Sequence, residues 1–441
     1  MRRVLTLWDL VFYGIVLIQP LAAVPLFGLA DKLSRGHVVT TILIAMFAMM
    51  LTALSYGRMA TVYPAAGSAY TYVGRGLNAH LGFLTGWAMM LDYLVIPIVN
   101  VIYGALTINR LVPAVPYWMG AAILSIVITY LNLRGIKSTA RTNIALLFVM
   151  CGVIGAFMLL AVRYLLHLGG ASALFSTQPF YTRGTTDFSS IATATSLAAL
   201  TYIGFDGVTT LSEEVKDPER NVLRATVLVC FLTGIFSGVQ VYLAQRVWPD
   251  YTSFPNVETA FIDISRRVGG MGLFNAMAFI LIVASLGSGL GGQAGAARVL
   301  FGMGRDNALP RRPFAYVDPV HRVPTWNLWM VGIVAFLGAM FLDFERAAEL
   351  INFGAFLAFM GVNLAAIKQF YFKQQVGKRR HWFNDLFLPA LGFIFCFWIW
   401  WNLQRPAKVV GGIWFVLGIL YQGIMTNGFR KEPVPIEFSE S

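Results

Sequence analysis

Stretches of about twenty apolar residues recur from one end of this chain to the other, and that recurrence constrains the fold more than any single motif. A helix rises about 1.5 Å per residue, so each stretch is long enough to cross a hydrocarbon core about 30 Å thick. Twelve windows are legible, near residues 7–30, 38–60, 79–107, 115–133, 142–166, 190–211, 223–247, 271–297, 325–342, 347–368, 386–403 and 409–427. In lipid every backbone amide and carbonyl must be satisfied by the chain itself, and a helix does this segment by segment. The expectation is therefore an all-α integral membrane protein. Only 12% of the 441 residues are charged, against about 25% in soluble domains, and the windows leave no room for a separate soluble domain. The first window follows Met1-Arg2-Arg3 with no small-residue cleavage site, and reads as a retained span.

A net charge of +12 raises the question of nucleic acid, which the distribution of the charge answers. With both termini cytoplasmic, about 22 of the 33 Lys and Arg lie on that side and about 11 on the other, as the positive-inside rule requires. The basic excess is topological. Lys378-Arg379-Arg380-His381 reads as a solvated loop within reach of anionic lipid heads. Cys151, Cys230 and Cys396 lie inside windows, far apart, and suit packing better than a disulfide or a metal. His37, His80, His167, His321 and His381 fall in or beside different loops without ligand spacing, which argues against a membrane enzyme. No cofactor and no metal is implied.

Two windows are interrupted. The first contains Gln19-Pro20 and then Pro25, and the sixth contains Gly204-Phe205-Asp206-Gly207. Interrupted segments five spans apart point to an inverted-repeat transporter whose broken helices meet near the midplane. Residues 1–166 would form the first five-span repeat and 167–370 the second, with 371–441 holding two further spans and a tail. A charge at the bilayer centre costs roughly 2.5 to 3.5 kcal/mol or more, so Asp206 should face a bundle interior. Proline in the first span removes a donor and frees carbonyls that protein, water or ligand must satisfy. Asp92, beside Tyr93, Pro97 and Asn100, could pair with a substrate amine, relay a proton, or bond across the bundle. Tyr93 and Tyr202 offer π faces to an organic cation and serve equally well as packing. Glu213 and Glu214 open a charged run through Arg220 where the sixth span leaves the membrane, either solvated or latching an inner gate. The loops around 63–72 and 298–322 read as further gate elements. Gly287-Ser288-Gly289-Leu290-Gly291-Gly292 matches a dinucleotide fingerprint in letters only, since it sits inside a membrane window and not between a strand and a helix. Its glycines suit close helix packing, and Ser285 and Ser288 are a weak signal for sodium.

Tyr63-Pro64-Ala65-Ala66-Gly67-Ser68-Ala69-Tyr70, Gly204-Phe205-Asp206-Gly207, the run from Ser212 to Arg220, and Met303-Gly304-Arg305-Asp306 resemble the amino acid, polyamine and organocation transporter superfamily. Within it, Leu54-Ser55-Tyr56-Gly57, Leu91-Asp92-Tyr93 and Ile351-Asn352-Phe353-Gly354-Ala355 are most similar to bacterial putrescine importers. The resemblance implies a LeuT-type 5+5 inverted repeat with two added C-terminal helices. It also implies alternating access and a substrate site between broken helices one and six, walled by three and eight. It puts the gating aromatic at Phe205, with Gly204 and Asp206 beside it. The first-helix substrate loop falls on about Ile18 to Leu26, including Gln19, Pro20, Ala22 and Ala23, and a third-helix contact on Tyr93 to Pro97. Where amino acid carriers place a glycine-rich turn, this chain has Leu17-Ile18-Gln19-Pro20-Leu21-Ala22-Ala23-Val24-Pro25, which leaves fewer close amides for a carboxylate. A second departure falls on Met150, where proton-coupled relatives often carry a lysine; a thioether takes up no proton. The expectation is a bacterial inner-membrane importer of a small amine, a polyamine such as putrescine before an amino acid, coupled to a proton rather than sodium through Asp206 or Asp92. An amino acid permease, an exchanger and a non-transporting sensor are the alternatives.

Overall fold

The computed structural model describes residues 3–63, 68–135, 140–184, 186–305, 309–373 and 381–433. These residues form helices α1 (Leu7–Ile18), α2 (Phe27–Leu33), α3 (Val38–Val62), α4 (Ser68–Gly76), α5 (Ala79–Leu111), α6 (Tyr117–Leu133), α7 (Ala140–Leu174) and α8 (Phe188–Ala198). After them come α9 (Pro218–Val247), α10 (Ala260–Arg305), α11 (Arg311–Phe314), α12 (Thr325–Phe341), α13 (Phe344–Ile367), α14 (Leu388–Trp401) and α15 (Arg405–Met425). Among the described residues nine helical segments are long and apolar enough to cross a membrane, and Leu7–Ile18, Tyr117–Leu133 and Thr325–Phe341 are shorter apolar helices. Each apolar window falls on one of these twelve. The protein is a multi-pass, all-helical membrane protein; its one extended pairing among the described residues is an isolated parallel bridge between Leu5 and Val215.

Local chemistry sets the ends. Thr6 caps α1 in a reciprocal box with Asp9, its amide donating to Asp9 Oδ2 at 2.8 Å. Asn78 Oδ1 accepts from the Leu81 amide at 2.8 Å to start α5, and Asp187 receives the Ser190 amide at 3.1 Å to start α8. Several helices outrun their windows: α9 begins at Pro218 and α10 continues to Arg305, because charged residues past the lipid still propagate a helix. Gly270, at φ 65°, divides α10, so that the apolar span begins where the 271–297 window does.

Helix α5 runs through the middle of the bundle against α10, α13, α4, α6, α12 and α15, while α3 lies along α9. Glycines permit close helix approaches. A β-carbon at residue 354 would lie 2.4 Å from the Ala88 carbonyl oxygen, and one at residue 57 would lie 2.5 Å from Leu223 Cα. The last two helices are bound within the chain. Trp87 Nε1 donates to the Trp414 carbonyl and Trp414 Nε1 to the Trp87 carbonyl, each at 2.9 Å, fastening α15 to α5. Arg58 pairs with Asp385 at 2.5 Å ahead of α14. Pro64 to Gly67, Asp306 to Ala308 and Lys378 to Arg380, which carry parts of the expected gate and basic loops, lie outside the described residues.

Candidate functional site

The first interruption is a full break. Helix α1 stops at Gln19, whose φ of 69° and ψ of 138° leave the helical region, and Pro20 cannot continue the ladder. Turns fill the gap to α2, with the Ala22 amide donating to Gln19 O at 3.2 Å and the Val24 amide to Leu21 O at 3.0 Å. The Pro20 carbonyl, a free acceptor by sequence, is already taken: buried Gln240 of α9 donates to it from Nε2 at 2.9 Å. Pro20 and Ala23 are buried, and Gln19 and Ala22 are half-buried.

The second interruption tightens before it breaks. Helix α8 gives way to a 3-10 turn over Ala199–Tyr202, the chain reverses at Ile203 and Gly204, and a ten-residue 3-10 segment, Phe205–Glu214, follows. Runs of 3-10 helix beyond three or four residues are uncommon and mark hinges or strain. Gly204 has φ 111°, a region closed to residues with a β-carbon. The two breaks meet: a β-carbon at residue 207 would lie 2.6 Å from Leu17 Cδ1, and one at residue 204 would touch Ile18 at 3.7 Å. Gly204→Ala is expected to destabilise the protein by about 1–2 kcal/mol, the penalty for a left-handed residue with a side chain. A lowered apparent melting temperature in detergent checks it, and an unchanged one would refute the strain.

Asp206 stands on the first turn after that break. Its carboxylate faces the backbone amides of Gly204, Asp206 and Gly207, the last of which also donates to the Gly204 carbonyl at 3.1 Å, and keeps part of its surface accessible. Thr209 donates to the Asp206 carbonyl at 2.7 Å and lies 3.3 Å from Ser68 of α4, which fixes the turn. Asp92 of α5 is 9% exposed, and its Oδ1 has no hydrogen-bond partner among the described residues. Asp206 lies within electrostatic reach of Asp92, of Tyr56 of α3 and of Tyr72 of α4, and Tyr56 lies within reach of Asp92 and Tyr72. Both tyrosine hydroxyls are buried and unpartnered; that of Tyr72 faces Thr209 without reaching bonding geometry. Phe205, fully buried, stacks edge-on to Tyr56 at 5.4 Å and tilts against Phe359 of α13 at 5.2 Å. Two carboxylates, two aromatic hydroxyls and several π faces thus converge from five elements. Buried polar atoms without partners cost about 1–3 kcal/mol each, so the unpartnered oxygens of this cluster mark it as a candidate binding site.

Other candidates go elsewhere. Tyr202 is fully buried, and its hydroxyl donates to the Ile42 carbonyl at 2.8 Å; it braces α8 against α3 and has no place in the cluster we assign. Tyr93 packs on α10, where a β-carbon at residue 295 would meet its ring at 3.0 Å. Glu213 is exposed and Glu214 half-buried, and among the described residues neither carboxylate is ion-paired. At that end the contact is made by the backbone, Val4 and Leu5 amides donating to Glu214 O at 2.9 and 3.0 Å and the Lys216 amide to Leu5 O at 2.9 Å. Met150 is core packing, and Ser288 accepts from Asn100 Nδ2 at 3.0 Å. Among the described residues no group of His, Cys, Asp and Glu could hold a metal. Sequence reasoning missed Tyr56, Tyr72, Phe359 and Gln240 as site residues. It also missed Asp31 of α2, which is wholly buried with both oxygens unpartnered.

Membrane helices that break and meet beside acidic side chains inside the bundle are the signature of a transport protein. Residues 9–405 match the family described as amino acid permease. The chain is 35% identical to the low-affinity putrescine importer PlaP of Escherichia coli K12, over 99% of this chain and 96% of that protein. It is 27% identical to the branched-chain amino acid permease BcaP of Lactococcus lactis, over 98% and 96%, and 26% identical to the methylthioribose transporter of Bacillus subtilis, over 95% and 92%. The chain belongs to the amino acid permease family, within the amino acid, polyamine and organocation transporter superfamily, and is a transporter rather than an enzyme.

Proposed function

We propose that this chain imports a small diamine of the putrescine class across the bacterial inner membrane, with both termini cytoplasmic, by alternating access. The observation that carries this reading is that Asp206 and Asp92 lie within electrostatic reach of each other, with the faces of Tyr56, Phe205 and Phe359 packed beside Asp206. A short dication needs an anionic or aromatic partner for each ammonium, and one carboxylate alone leaves the second charge unmatched in a low-dielectric interior. The first break fits the same guest. It offers no glycine-rich turn for a carboxylate, and the Ala22 and Val24 amides are bound within the turns. The Escherichia coli relative, a low-affinity putrescine importer, supports the substrate class.

Phe205 is the aromatic that closes over the ligand, and the 5+5 repeat of residues 1–166 and 167–370 supplies the rocking bodies, with 371–441 as an outer brace. Support for the repeat comes from the two breaks, which fall five spans apart and abut. A proton drives the cycle and Asp206 or Asp92 carries it, since Met150 has no group that titrates. Unchanged pH dependence of uptake in both Asp206→Asn and Asp92→Asn would remove that coupling.

Thermal stabilisation of the purified protein across putrescine, cadaverine, spermidine, agmatine, arginine, alanine and serine tests the substrate. A ligand bound only by the folded state stabilises it by about 2.7 kcal/mol at a hundred times its dissociation constant. Diamines are expected to stabilise and amino acids to leave the transition in place. Stabilisation by amino acids alone overturns the diamine in favour of an amino acid permease. Binding without flux into proteoliposomes would indicate a sensor, and flux only into preloaded vesicles an exchanger.

A further inference from the structure

Away from the breaks, where the connections after α2, α7 and α9 come together, a groove of about 840 Å³ opens on the side of the bundle. The connections are tied there: Thr40 Oγ1 donates to the Phe180 carbonyl at 2.7 Å, and His37 Nε2 lies 3.0 Å from Thr186 Oγ1. The walls are apolar, Val39 and Leu43 from α3 and Ile235 and Val239 from α9, while Ser176 and Thr177 stand at the turn that roofs it. Ile235 and Val239 are each 44% exposed, on a surface of membrane-length helices.

Two glycines of α9, one turn apart, behave differently. Gly234 is needed for helix packing, since a β-carbon there would fall 2.4 Å from Met46 Sδ. Gly238 lines the groove, and a β-carbon there would meet nothing nearer than Leu43 Cδ2 at 3.9 Å. The space beside Gly238 is thus not filled by protein. At the roof, the Tyr242 hydroxyl donates to the Leu174 carbonyl at 2.7 Å and receives the Ser176 amide at 3.0 Å, which holds the turn in place. One turn further along α9, Arg246 donates to the Ala173 carbonyl at 2.8 and 3.1 Å and to Gln178 Oε1 at 3.3 Å. These bonds use three of its five N–H donors. Among the described residues no carboxylate pairs with its charge.

An apolar trough with hydroxyls at its roof and, one turn of α9 beyond the lining Tyr242, a guanidinium with no carboxylate partner among the described residues complements an amphiphile with an anionic head. We propose that the groove binds a phospholipid, one acyl chain lying between α3 and α9 against Gly238 and its phosphate held at Arg246 with Ser176 and Thr177. The geometry sets the head at the rim and the chain along the helices, the orientation a lipid has in its own leaflet. Arginine forms directed hydrogen bonds to phosphate oxygens, which a sterol or a bare hydrocarbon would leave unused. The turn that meets the head leads to Asp187, the cap of α8, so occupancy bears on the helix that enters the second break.

Native mass spectrometry on the full chain, stripped of lipid in detergent and titrated with phosphatidylglycerol, diacylglycerol and inorganic phosphate, tests this. One phosphatidylglycerol is expected to bind at least tenfold more tightly than diacylglycerol, with inorganic phosphate alone not retained. Gly238→Leu and Ile235→Trp each fill the groove without touching Arg246, and each is expected to weaken phosphatidylglycerol at least tenfold. Arg246→Gln is expected to bring phosphatidylglycerol down to the diacylglycerol level. Retention of wild-type affinity by a folded Gly238→Leu or Ile235→Trp protein overturns the site. Retention of the headgroup preference by Arg246→Gln overturns the phosphate contact.

Discussion

Asp206→Asn is expected to weaken diamine binding by about 100-fold or more and to abolish uptake at micromolar substrate. Removing one partner of a desolvated charge pair costs about 3–5 kcal/mol, and each 1.4 kcal/mol is a factor of ten. Asparagine keeps the shape of the side chain but loses the charge that the amides of Gly204, Asp206 and Gly207 surround. Calorimetric titration of the purified variant with putrescine measures the loss, and its melting temperature without ligand separates lost binding from lost fold. Wild-type affinity in a folded variant would end the assignment of Asp206 as the ammonium partner.

The second large effect is one of selectivity. Asp92→Asn is expected to reduce the preference for putrescine over butylamine by about tenfold or more, because a monoamine needs only the Asp206 carboxylate while a diamine needs both. The unpartnered Asp92 Oδ1 is the atom left for the second ammonium. Competition of both amines against labelled putrescine gives the ratio directly. Equal weakening of the two ligands would make Asp92 a brace of the bundle and not a specificity residue.

Much of this architecture is legible in the amino-acid order because lipid tolerates few solutions. Apolar length alone locates the helices, and Pro20 and Gly204 mark both breaks, since neither proline nor a left-handed glycine continues a helical ladder. Asp206 and Phe205 stand out as a charge and an aromatic at an interruption. Tyr56 and Tyr72 do not, because tyrosine is common in membrane helices and only packing brings these two beside Asp206. Asp31 escapes notice because it falls just past the end of the first window, where an acid looks like the start of a loop, although α2 carries it into the interior. Tyr202 shows the converse. Its place two residues before Gly204 suggests a ligand contact, and only the Ile42 carbonyl reveals that its hydroxyl proton is already engaged. Nothing in the letters of Glu213 and Glu214 tells a solvated pair from a latch, because the contact made there uses Glu214 through its carbonyl.

That carbonyl joint, between residues 4 and 5 and residues 214 and 216, is made without a single side chain. It couples the start of α1 to the end of the segment after Phe205, so in the proposed alternating-access cycle the two would swing as one leaf of a door and not as two. An alanine scan across either strand should pass over it in silence. The joint answers only to changes in the main chain, such as a proline at Leu5, which deletes one amide, so its mechanical role belongs to the peptide backbone and is free of any residue's identity.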